Sequence, residues 1–84
     1  MLEYYFNDMG ALRDVIQILN DKIETYGLVD LDFVKRFLES RYEPKFMDSR
    51  IGWTEVFVEN RDVKPILRGQ HWNFKFTLPE PKEL

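Results

Sequence analysis

The sequence predicts a single α+β domain in which two N-terminal helices pack on a C-terminal β-hairpin or small antiparallel sheet. Three observations carry that expectation. Apolar residues recur at helical spacing over residues 8–41, alternation of apolar and polar residues takes over from residue 55, and Gly69-Gln70 marks a tight turn inside the alternating stretch. The 84 residues then divide into an N-terminal arm (1–6), a helical pair (8–41), a connecting loop (42–54), antiparallel strands (55–78) and a tail (79–84).

The arm holds Leu2, Tyr4, Tyr5 and Phe6, too apolar for a solvated tail. It is read either as a short strand or docking segment that covers the core, or as a sticky aromatic arm for dimerisation or partner binding. In the second case Tyr4, Tyr5 and Phe6 are the candidate protein-binding residues.

Leu12, Val15, Ile16, Leu19, Ile23 and Tyr26 fall at the three- and four-residue spacings of one helix face, which predicts an amphipathic helix with one apolar stripe and Ile18 off it. Asn7 or Asp8 can cap its start, and Gly27 can take the left-handed conformation that ends it after Tyr26. Asp30 is a suitable N-cap for a second helix, with Asp32 in the first turn where a negative charge complements the dipole. Leu31, Val34, Phe37 and Leu38 form its inward stripe, with Phe33 at the edge.

Pro44 disfavours helix at Glu43, so the pattern breaks into a loop that Phe46 and Met47 are expected to anchor. Gly52-Trp53 is read as a turn in which glycine supplies a positive φ and the indole starts the next element. Trp53 itself is read first as a core anchor. Glu55 to Val58 is a candidate third strand.

A two-residue turn at Gly69-Gln70 fixes the hairpin register by counting: Arg68 faces His71, Leu67 faces Trp72, Pro65 faces Phe74 and Val63 faces Phe76. One face is then wholly apolar and assigned to the core, while Arg68/His71, Ile66/Asn73 and Lys64/Lys75 fill the other. A one-residue slip would scramble that sorting. Pro65 cannot donate a ladder hydrogen bond, so its strand is an edge or its nitrogen points away from the pair.

Composition narrows the classes of function. Hydrophobic residues make up 44% and aromatics 15%, enough for one modest core without staples. Cysteine is absent, which removes disulfides, thiolate nucleophiles and Cys-based zinc sites and points to a reducing compartment. Acidic Glu3 and Asp8 near the start and the lack of a long apolar run predict neither export nor membrane spanning, so the expected location is the cytoplasm of a bacterial host. Net charge is −3, with four basic and eight acidic side chains in residues 1–40 against eight and seven in residues 41–84.

No catalytic, cofactor or metal-binding pattern is present. His71 is the only histidine, Ser40 and Ser49 lie in no nucleophile context, and the glycines at 10, 27, 52 and 69 are too scattered to cradle a phosphate. An enzyme is not expected, nor is a cofactor. The basic outer hairpin face, Lys64, Arg68, His71 and Lys75, is the candidate nucleic-acid surface, with Trp53 or Trp72 as a stacking group. The acidic overall balance and the assignment of Trp72 to the buried face count against it.

From residue 15 onward the chain resembles small proteins encoded by bacteriophages, prophages and mobile elements of Gram-positive bacteria. The resemblance lies in a helix ending at Tyr26-Gly27, then Val29 and Asp32-Phe33, a Gly52-Trp53-Thr54 segment, and a closing Leu78-Pro79-Glu80-Pro81 with terminal Leu84. The chain departs from that pattern where Val34 to Glu39 continues without a glycine, which implies a longer second helix. The group has no settled biochemical activity, so the resemblance implies an origin and a fold and carries over no active-site residues. The resulting expectation is a non-enzymatic accessory protein acting through protein–protein binding, with inhibition of a host or defence protein as one form. Its partner is another protein or a second copy in a homodimer. The alternative is a weak nucleic-acid-binding module.

Overall fold

The computed structural model describes residues 2–40, 42–44 and 50–84. In chain order the elements are β1 (Leu2–Phe6), α1 (Met9–Tyr26), β2 (Val29–Asp30), α2 (Leu31–Ser40), β3 (Ile51–Trp53), α3 (Glu59–Asp62), β4 (Val63–Arg68), β5 (His71–Leu78) and β6 (Lys82–Glu83). The class is α+β, but the predicted arrangement of two N-terminal helices on a C-terminal hairpin is wrong. Among the described residues there are three helices and two three-stranded sheets, ordered β1-β5-β4 and β2-β3-β6, with strands and helices interleaved along the chain.

Most of the differences have a common cause: each missed strand is held by a partner distant in sequence. The arm is a strand, β1, paired antiparallel along the inner strand β5 from Leu2↔Leu78 to Phe6↔Phe74. The expected loop contains β3, and the expected tail contains β6, which pairs Gly52↔Lys82 and Ile51↔Glu83. The Leu84 N–H closes that edge by donating to Arg50 O at 2.7 Å. The third strand proposed at Glu55 to Val58 is absent; that segment is irregular and leads into α3. Phe46 and Met47, the expected loop anchors, lie outside the described residues, as do Asp48 and Ser49.

Helix α1 has the predicted ends. The Asp8 carboxylate accepts the Gly10 N–H at 2.9 Å, and Gly27 at φ 81° sends its N–H back to Ile23 O. Leu12, Val15, Ile16, Leu19 and Ile23 are buried, but Tyr26 is not part of the stripe: it lies in the last turn, 59% exposed. In α2 the buried face is Phe33, Val34, Phe37 and Leu38, so Phe33 is central and Leu31 is the half-buried edge.

Gly52 is not a positive-φ turn; among the described residues only Gly27 and Gly69 are glycines of that kind. It lies within β3 opposite Asp30, where a Cβ would collide with the Val29 carbonyl oxygen and the Asp30 Cα. The requirement is close backbone approach, not turning.

The hairpin register is as predicted at every pair from Val63↔Phe76 to Arg68↔His71, with Gly69 at φ 64°. Alternation from the turn places Pro65 at a non-hydrogen-bonded position, so its ring nitrogen faces the outer edge of β4, and β4 is an edge strand. The Val63 N–H is taken by Glu59 O, so that edge has few free donors to recruit another strand.

Between the helices and the main sheet, Trp53, Phe57 and Phe76 stack edge-to-face, with centroids 5.9 and 5.6 Å apart. The Trp53 indole N–H donates to Pro79 O at 2.9 Å, which ties the small sheet to the end of β5.

Candidate functional site

The helix-facing side of the main sheet runs from buried to exposed along its length. Leu78, Phe76 and Val63 are buried and Phe74 is half-buried, whereas Pro65, Leu67 and Trp72 lie open. β1 covers β5 only as far as Phe74, and beyond that pair the turn end of the hairpin leaves its apolar face exposed. Assigning the whole of that face to the core was therefore incorrect. Leu67 is 55% exposed and its cross-strand partner Trp72 is 63% exposed.

The arm residues are divided by the pleat. Phe6 is buried and Tyr4 half-buried on the helix side, where burial and then the charge of Glu39 raise the Tyr4 phenol above its ordinary pKa. Tyr5 points to the other side, with the Arg68 guanidinium 4.1 Å from its ring centroid. Of the three arm residues, then, Tyr5 alone presents much surface.

The four basic candidates do share the outer face, as the register requires: Arg68 opposite His71, Lys64 opposite Lys75. They are not equally available. Arg68 covers Tyr5, and the Lys75 ammonium is 4.0 Å from a Glu3 carboxylate oxygen.

Next to Lys64 and Lys75 the same face is hollowed into a trough of about 520 Å³. Its floor is Thr77 and the lysine stems; Trp53, Pro79 and Arg61 contribute to its walls. Arg61 is locked by a two-point contact with buried Asp62, at 3.0 Å from both Nε and Nη2, and also donates to Val56 O. That contact raises the guanidinium pKa further. Asp62 in turn accepts the Val58 N–H at 2.8 Å, which fixes the entry into α3.

Sequence reasoning missed this trough. Its lining comes from β1, β3, α3, β4, β5, β6 and the segment before β6, and only the long-range pairings bring them together. Among the described residues no group of three or more potential metal ligands converges, and no helix is long and apolar enough to cross a membrane. Comparison with protein-family models, with curated proteins and with solved structures finds no match to this chain.

Proposed function

We propose that this chain is a non-enzymatic accessory protein that acts by binding another protein through the turn end of the hairpin. The observation that carries the reading is the exposed Leu67–Trp72 pair on a hairpin end that β1 does not cover. A tryptophan and a leucine side by side on an open face supply the aromatic and aliphatic anchors of an interface hot spot. This moves the contact surface from the aromatic arm, whose Phe6 is part of the core, to the hairpin end. The phage or prophage origin suggested by the sequence, a bacterial cytoplasmic setting and inhibition of a host or defence protein fit this reading, and a second copy of the chain is one partner it admits.

The test is retention of proteins from a Gram-positive bacterial lysate on the immobilised chain, comparing wild type, a Leu67→Ser/Trp72→Ser variant and an Arg68→Glu/Lys75→Glu variant. A protein kept by wild type and by the charge-reversed variant but lost from the Leu67/Trp72 variant supports the reading. Identical retention by all three overturns it.

The second reading, weak nucleic-acid binding by Lys64, Arg68, His71 and Lys75, gains little from the exposure of Trp72, because the register puts that ring on the opposite face of the sheet. It loses from the engagement of Arg68 and Lys75 with Tyr5 and Glu3. It requires oligonucleotide affinity that falls steeply with salt and is lost in the charge-reversed variant.

A further inference from the structure

We propose that the trough on the outer face of the β1-β5-β4 sheet binds a small organic anion, an aromatic or similarly compact apolar body bearing one carboxylate or phosphate. The head lies between Lys64 and Lys75, and the body rests against Thr77, Trp53 and Pro79. This site is separate from the hairpin end and does not depend on the protein-binding reading.

Size is the first support. At about 520 Å³ the trough falls within the range of small-molecule sites, and it sets Trp53, Pro79 and the carbon stems of its side chains among four acidic and four basic residues.

Charge is the second. Lys64 and Lys75 stand directly opposite each other on neighbouring strands, an arrangement that destabilises a sheet when both are cationic. Directly opposed side chains start about 4.5–5.5 Å apart, so both ammonium groups can converge on one anionic head. The other charges around the trough are largely matched. Arg61 is held by Asp62, Lys82 lies 3.8 Å from Glu55, and Glu80 is engaged. Lys75 has only the long 4.0 Å contact to Glu3, and Lys64 has no ion-pair partner among the described residues. The unmet demand is for negative charge, and it is located at Lys64 and Lys75, within a trough that also holds Trp53 and Pro79. A metal cation is disfavoured by the same facts, since the carboxylates are already committed and none converge in threes among the described residues.

The repulsion gives the test a readout that a structural role would not produce. Removing the Lys64 charge should weaken binding while leaving the fold as stable as before or more so. The experiment is an amide and indole N–H NMR titration with phenyl phosphate, benzoate, inorganic phosphate and benzylamine. Phenyl phosphate and benzoate are expected to shift the Trp53 indole N–H and the Lys64, Lys75 and Thr77 amides with Kd of about 0.1–1 mM. Inorganic phosphate should bind at least about tenfold more weakly and benzylamine should give no localised shifts. Lys64→Gln should weaken phenyl phosphate by about tenfold with Tm unchanged or raised, and Lys35→Gln on the exposed face of α2 should change neither. Absence of localised shifts at about 10 mM, equal response to benzylamine, inorganic phosphate binding as tightly as phenyl phosphate, or Lys64→Gln binding like wild type would each overturn the proposal.

Discussion

The Asn20 side chain pairs with both backbone groups of Phe57: the Phe57 N–H donates to Oδ1 at 2.8 Å, and Nδ2 donates to the Phe57 carbonyl at 2.9 Å. An amide on α1 thus acts as the strand partner that this irregular segment lacks. The pairing matters because the Phe57 ring is seated between Trp53 and Phe76, so its backbone must enter the core and cannot rely on water.

Asn20→Ala should therefore lose two part-buried hydrogen bonds and leave the Phe57 groups unsatisfied, a destabilisation of about 2–3 kcal/mol. For a domain of this length that is a fall in Tm of roughly 10 °C or more. Urea unfolding followed by circular dichroism measures it. A loss within about 0.5 kcal/mol would mean that Asn20 does not position the segment.

Gly52→Ala should be more damaging than any other glycine substitution. The added methyl meets backbone, the Val29 carbonyl and Asp30 Cα, which cannot rotate away. The expected cost is about 3 kcal/mol or more, with loss of the β2-β3 pairing. Gly10→Ala is the control, since its methyl meets only the Asp8 carboxylate oxygen at 3.3 Å, and it should be close to neutral. Thermal melts of the two variants distinguish backbone crowding from a general intolerance of alanine.

Those two glycines also show what the sequence could and could not disclose. Local patterns were sufficient for α1 with its Asp8 and Gly27 ends, for α2, and for the complete β4-β5 register, because each depends on residues only a few positions apart. Gly52 was legible as a constraint but not as to its kind: positive φ and close cross-strand approach both select glycine, and only the pairing with Asp30 separates them. Strands of two or three residues such as β2, β3 and β6 carry too few positions for alternation to register. The arm illustrates the opposite case, a segment whose composition allowed either docking or display until β5 was seen to take it as a partner. Lys64 and Lys75 were placed correctly on the outer face, but the trough beside them needs Trp53 and Pro79, which nothing in the local sequence links to that face.

The two tryptophans should report on opposite environments. Trp53 is 4% exposed and hydrogen-bonded to Pro79, and Trp72 is largely open. Acrylamide quenching of wild type should resolve an accessible and a protected component, and Trp72→Phe should remove the accessible one. The same substitution should change stability by less than about 0.5 kcal/mol, as expected for a surface side chain. Strong protection of Trp72 in dilute solution would mean that its face is covered there, by a second copy or by the chain itself.

Arg13 and Glu59 join α1 to α3 through two hydrogen bonds of 3.1 Å, which depress the Glu59 pKa below its ordinary value and raise that of Arg13. The sign of the linkage follows from the carboxylate. Glu59 binds a proton less readily in the folded chain than in the unfolded one, so the pair stabilises the fold above the ordinary glutamate range. That stabilisation fades as pH falls through the ordinary value towards the depressed one. Arg13 stays charged throughout and adds no pH dependence of its own. Both side chains are well exposed, so the effect is small and sensitive to salt. Glu59→Gln should lower Tm slightly at neutral pH and low ionic strength, and the gap to wild type should narrow as the pH falls below the ordinary glutamate range. Melts across that range at two salt concentrations provide the check: a gap that persists at low pH would assign the loss to something other than the Glu59 charge.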